Sequence, residues 1–140
     1  MVAELAVWTC TLLVHAEAKP ASPPPKTKIK LVAVEKAIIE ATNSERVRYG
    51  LPPLEVDEEL MQSAREHCTW MSRTGLLRHT SLPVAENIAM GQETTDEVLR
   101  SWMRSPGHRA NILHSGYRKI GVAASRTSAG VMFWCQQFRR

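Results

Sequence analysis

Three side chains in this sequence, His79, Glu86 and His108, are of the types that hold a divalent cation. Two imidazoles and one carboxylate form a common ligand set for zinc, or another divalent metal, that keeps an open coordination position. They stand seven and then twenty-two residues apart, with no HExxH-type local motif, so their spacing alone is unspecific. The plain alternative is a solvated loop histidine, a surface glutamate and a capping histidine. Nucleophilic chemistry is the second use these residues allow. Ser105, His108 and Glu86 can be cast as nucleophile, base and orienting carboxylate. However, Ser105 and His108 are three apart at a helix start, where capping already explains the hydroxyl. No nucleophile elbow or oxyanion hole accompanies them. Metal-assisted hydrolysis with Glu86 as the base is chemically possible, yet it leaves only two ligands. These considerations favour binding over catalysis.

The elements that must position these residues meet around Ser101 to Leu113, SWMRSPGHRANIL. Ser105 followed by Pro106 starts a helix: a serine hydroxyl can accept from unpaired first-turn amides, and proline at the first helical position loses no hydrogen bond. Gly107 permits close approach of backbone or ligand. His108 then sits in the first turn, where the positive end of the helix dipole disfavours its protonated form. Neutral imidazole is the form that binds metal or accepts a proton.

Before that stretch, Val34, Ala37, Ile38 and Ala41 fall at helical spacing, in a helix ending near Gly50. Pro52 and Pro53 make a rigid connector. Asp57 is placed to cap a second helix with the apolar stripe Leu60, Ala64, Cys68 and Met71, ending at Gly75. Leu76 to Ala85 is a loop holding His79, and Glu86 to Gly91 reads as a short strand. Thr94 or Thr95 caps a third helix, Asp96 to Met103. Lys119 to Ala124 and Val131 to Phe138 form a hairpin. The last strand is apolar on both faces, with Val131, Phe133 and Cys135 on one and Met132, Trp134 and Phe138 on the other. A strand like that needs helices on both sides. The expected fold is α+β, a three-layer α-β-α sandwich around a small, mostly antiparallel sheet.

The chain has 140 residues, 44% of them hydrophobic, enough for one domain with a real core. The formal charge of +4 is scattered, and no basic stretch interleaved with aromatics points to nucleic acid. A weak attraction to anionic wall polymer or lipid headgroups is the most it supports. Leu5 to Val14 is an apolar run of ten, too short to span a bilayer as a helix, followed by the small-x-small Ala16-Glu17-Ala18. Residues 1–18 therefore read as a signal peptide, although Met1 to Glu4 lacks a basic residue. Cleavage after Ala18 leaves a charge of +6, because two acidic and no basic residues go with the leader. Residues 19–32 are a proline- and lysine-rich linker, and 33–140 the domain. The product expected is a secreted or cell-envelope monomer without a transmembrane span.

From about Ile38 to Phe138 the chain resembles the CAP superfamily, or SCP domains, which includes cysteine-rich secretory proteins, antigen 5 and plant pathogenesis-related proteins. The likeness is to the short bacterial branch. It rests on Asn43-Ser44-Glu45-Arg46, Gly50-Leu51-Pro52-Pro53-Leu54, Ala64, Met71, His79, Glu86-Asn87-Ile88-Ala89 and Gly91. It continues through Trp102, Ser105-Pro106-Gly107-His108-Arg109, Asn111-Ile112-Leu113, Tyr117, Ile120-Gly121-Val122 and Gln136-Gln137-Phe138. The resemblance implies the same α-β-α sandwich and a cleft of two histidines and two glutamates that holds a divalent metal in several members. His79, Glu86 and His108 match three of the four. The second glutamate falls three residues after the helix tryptophan, and Trp102 plus three is Ser105, a poor zinc ligand. Asn87, Trp102, Ser105 and Asn111 are expected to line the cleft, the asparagines and Trp102 with structural roles first. Arg46 should brace the first helix, whereas His67, His114 and Trp70 are assigned no role.

Cys68 on the second-helix stripe and Cys135 on the last strand could come within bonding distance if that stripe packs on that strand, and export would favour a disulfide. Two small buried thiols are the alternative. The resulting expectation is a secreted binding or interaction module with a His-Glu-His cleft for zinc or another divalent cation. Its partner would be a protein, cell-wall or lipid ligand. The rivals are a metal-dependent or serine hydrolase acting on peptide or wall material, and the lipid or sterol carriage that some relatives perform.

Overall fold

The computed structural model describes residues 29–140, so the expected leader and most of the expected linker lie outside the described residues. Helix α1, Ala33–Arg48, is tied at its start by Glu35, whose carboxylate accepts from the Val32 amide at 3.0 Å. Its inward face is Glu35, Ile38, Ile39, Thr42 and Arg46. That face is turned slightly from the all-apolar stripe of Val34, Ala37, Ile38 and Ala41, because two charged residues go inside with partners. Glu35 takes Arg65 of the next helix at 2.6 Å. The Pro52–Pro53 connector is pinned by Asn43, whose side chain donates to the Leu54 carbonyl at 3.0 Å and accepts from the Leu54 amide at 2.8 Å. Such a pair replaces a strand partner that the prolines cannot provide.

The connector leads into a two-residue strand, β1 (Glu55–Val56), too short to be legible as a pattern. Asp57 then caps α2 (Glu58–Thr74), accepting from the Leu60 amide at 2.9 Å, and Gly75 closes it with φ of 71°, in the left-handed region glycine tolerates. Strand β2 is Ala85–Met90; α3 is Thr95–Arg104, capped by Thr94; α4 is Pro106–Ile112. Strands β3 (Lys119–Arg126) and β4 (Met132–Arg139) form the expected hairpin, with β3 running past the apolar pattern because the ladder extends beyond the buried part. No described helix is long and apolar enough to cross a membrane.

The sheet order is β1-β3-β4-β2, antiparallel throughout except for the β1–β3 pair. Helix α2 packs on one face through β3 and β4, while α1, α3 and α4 cover the other. The core accordingly divides at the sheet. On the α2 side Ala64, Cys68, Met71, Ile88, Ala123, Phe133 and Cys135 pack together. The larger opposite layer holds Ile38, Trp102, Ile112, Ile120, Trp134 and Phe138 among others. The alternation along β4 confirms that both faces of that strand are covered: Phe133 and Cys135 go one way, Trp134 and Phe138 the other. Close packing is tightest at Gly121, where a Cβ would run into the backbone of Leu60, so β3 can approach α2 only through glycine.

Candidate functional site

Glu86 belongs to the edge strand β2 and faces the α2 side of the sheet, opposite Gln137 of β4. Its side chain is only 3% exposed. Burial of a carboxylate requires hydrogen bonds, and Glu86 has them on both oxygens. Oε1 accepts from His79 Nδ1 at 2.8 Å and from the Thr80 amide at 3.0 Å. Oε2 accepts from Gln137 Nε2 at 2.9 Å and more weakly from Cys135 Sγ at 3.5 Å, with His67 Nε2 at 3.8 Å. The carboxylate therefore fastens the 76–84 loop to the sheet. Donation from Nδ1 sets the His79 tautomer and leaves Nε2 with its lone pair, on a side chain that is 60% exposed.

Asn87, the next residue, points to the opposite face, as strand geometry demands. It donates to the His108 carbonyl at 3.1 Å and to Gln136 Oε1 at 3.1 Å, and accepts from Asn111 Nδ2 at 2.9 Å. Asn111 also reaches the Glu86 carbonyl at 3.3 Å, and Gln136 donates to Thr42 of α1 at 2.7 Å. This chain of amides fastens α4 against the edge strand. It brings His108 close enough to His79 that, after burial, His79 is the second cause holding the His108 pKa below its ordinary value. His79 and His108 are thus neighbours on either side of one strand edge.

Glu86, His79 and His108 are gathered in one region, with Glu86 held by internal donors on both oxygens. Among the described residues no group of three or more His, Cys, Asp and Glu side chains is arranged to hold a metal ion. The reason is the carboxylate: with both oxygens taken by internal donors, Glu86 stands behind His79 rather than beside it. That is the position from which carboxylates orient metal-binding histidines. Ser105 occupies the N-cap of α4, yet its hydroxyl makes no capping hydrogen bond; the backbone carbonyl takes Arg109 instead. Nor is Ser105 hydrogen-bonded to His108, so no nucleophile–base pair is formed. Of the residues expected to line the cleft, Asn87 and Trp102 are fully buried and line no surface; Trp102 Nε1 donates to the Ile88 carbonyl. Asn111 is half-buried within the amide chain.

Both cysteines are buried free thiols in the α2-side core. Each is directed at its own acceptor, Cys68 at the Phe133 carbonyl (3.2 Å) and Cys135 at Glu86. Burial pushes the Cys68 thiol up to about 12 and raises Cys135 well above its usual value, the Glu86 carboxylate adding to the effect in both. Arg46 is fully buried and has no ion-pair partner among the described residues. It donates instead to the carbonyls of Pro52, Ile112, His114 and Tyr117, bracing α1 and the chain after α4.

Sequence reasoning missed His67, Trp70 and Gln137. His67 Nε2 donates to the Arg78 carbonyl at 2.7 Å, next to His79, and its ring lies nearly parallel to Trp70 at 5.7 Å between centroids. These two residues, with Arg78, His79, Thr80 and Ser81, line a cavity of about 290 Å³. The signals were faint: a histidine three residues before a tryptophan on one helix, and a glutamine pair in an otherwise apolar strand.

The sequence pattern of the CAP, Cysteine-rich secretory protein family, matches residues 39–138. The uncharacterized protein YkwD of Bacillus subtilis (strain 168) is 37% identical over 123 residues, 76% of this chain and 47% of that protein. The chain spans about half, or less, of the curated relatives it first matches. Among solved structures, an outer surface protein from Borrelia burgdorferi superposes with a TM-score of 0.68 at 21% identity, covering 74% of this chain and 89% of that one. NaASP2, described with Zn2+, gives a TM-score of 0.60 at 13% identity over 75% of this chain and 78% of its own. At those identities both show the fold alone.

Proposed function

The chain belongs to the CAP superfamily, in its bacterial branch, and from that premise we propose that it is an exported binding module rather than a hydrolase. The observation that carries this is the state of Glu86. A general base needs a free acceptor near the reacting proton, and both oxygens of this carboxylate are already occupied inside the fold. The absence of a Ser105–His108 hydrogen bond supports the same reading. What the cleft offers instead is a fixed imidazole, His79, beside a second one whose protonation is disfavoured. A divalent cation taken up here rests on His79 and His108 with water completing its shell, while Glu86 orients His79 from behind. Export through residues 1–18, and a partner at the cell envelope, belong to the same reading.

Zinc titration by calorimetry at pH 7.5 tests it, beside His79→Ala and His108→Ala. Two imidazoles predict binding weaker than micromolar, lost in both variants. Affinity at micromolar or tighter would mean that a third protein ligand is recruited and that Glu86 leaves its internal donors. Peptidase or esterase turnover abolished by Glu86→Gln would overturn the binding reading.

A further inference from the structure

We propose that the outer face of α2, centred on Trp70, binds an anionic polysaccharide whose pyranose rings carry carboxylates. The inference rests on reading the chain as a binding module, and it names the class of partner. Trp70 is a large aromatic left 39% exposed, at a position where the inward stripe of α2 does not need it. It is the wall shared by two cavities. On one side lies the 290 Å³ cleft with His67, Arg78 and His79; on the other lies a broader one of about 660 Å³ with Thr69, Arg73 and Thr74. The two, together termed the trough, share Trp70 alone, so its flat indole stands between them.

The trough's charge is cationic. Arg65 is paired with Glu35, whereas Glu66 accepts only from the neutral Gln62 amide and keeps its negative charge in the broader cavity; across the two cavities Arg73 and Arg78 together outnumber it. Arg73 and Arg78 are exposed and have no ion-pair partner among the described residues. They stand on opposite sides of Trp70, one in each cavity. Guanidinium groups match carboxylates in geometry and are weakly hydrated. Thr69, Thr80 and Ser81 add hydroxyls along the walls. His67 holds the centre rigid: its ring lies nearly parallel to the indole while Nε2 ties the Arg78 carbonyl to the helix.

A flat indole between spaced cations suits a sugar chain, whose rings present an apolar C–H face to the aromatic and whose acids lie at the rim. It suits an acidic peptide less well. An extended peptide needs a sheet edge for its backbone or pockets for its side chains, and a helix face provides neither. A lipid tail would need an enclosed apolar space, and both cavities are open to solvent.

The full chain is titrated with a six-residue oligomannuronate, with cellohexaose and with poly-L-glutamate. Saturable oligomannuronate binding is expected, weakening with salt, at least tenfold weaker in Trp70→Ala and in the Arg73→Ala/Arg78→Ala double variant, and partly retained in Trp70→Phe. Cellohexaose should bind more weakly and poly-L-glutamate not saturably. All three variants lie on the surface, and far-UV circular dichroism checks that they fold. The proposal falls if oligomannuronate does not saturate, if Trp70→Ala binds like the parent, or if poly-L-glutamate competes equally. Zinc titration of the same variants separates the two readings. Zinc binding without oligomannuronate binding sinks only this inference, whereas oligomannuronate binding without zinc sinks only the cation cleft.

Discussion

Glu86 accepts from donors on both sides, so its substitutions should differ sharply in cost. Gln137 Oε1 is buried without a hydrogen-bond partner. In Glu86→Gln the amide oxygen can keep His79 and Thr80, while its NH2 faces Gln137, whose own amide can turn to accept it. The expected loss is about 1 kcal/mol in a denaturant titration. Glu86→Ala removes every acceptor at once and should cost about 3 kcal/mol or more. Equal losses would show that the carboxylate does not organise the loop. His108 gives a pH signature. Its folded pKa lies below the ordinary 6.5, through burial first and His79 second. On acidification the unfolded chain therefore takes up the proton first. The stability His108 contributes is complete above about pH 6.5 and is lost as pH falls through the folded pKa. Proton NMR should place its midpoint below that of a free histidine, and His79→Ala should move it upward.

Among the elements, the joint between α4 and β2 is the one on which the site depends. Residues from β2, β4, α1 and α4 meet there through one chain of side-chain hydrogen bonds. Arg46 does the same work on the other side of α4, and removing it takes a donor from four carbonyls. Arg46→Met should destabilise by about 3 kcal/mol or more, measured by thermal unfolding, with lysine a poor substitute because one ammonium cannot span the four acceptors. Gly121→Ala should be at least as harmful, since the added methyl meets the Leu60 backbone rather than a movable side chain. By contrast Asp57→Ala removes one cap, at about 1 kcal/mol, along with its contact to Arg139.

For the molecule as a whole, two layers of unequal size enclose the sheet, and both thiols sit in the smaller one. Native protein should not react at Cys68 or Cys135 with a thiol reagent at pH 8, because both are buried and held protonated. Unfolding without reductant should release three thiols from the full chain, Cys10 included, or two once residues 1–18 are gone. Two fewer in either case would show the Cys68–Cys135 disulfide. Helix boundaries, the three caps at Asp57, Thr94 and Gly75, and the sandwich itself were legible in the sequence, because capping and periodicity act within a few residues. The family was legible too, since its motifs are ordered along the chain. What Glu86 does was not. A strand's alternation says that Glu86 and Asn87 face opposite ways, but which donors each then meets depends on Gln137, Gln136 and Thr42, residues up to 94 positions apart in the pairs they form. Only the closed fold gave both Glu86 oxygens internal donors, and only it set Trp70 between two cavities that no local pattern announces.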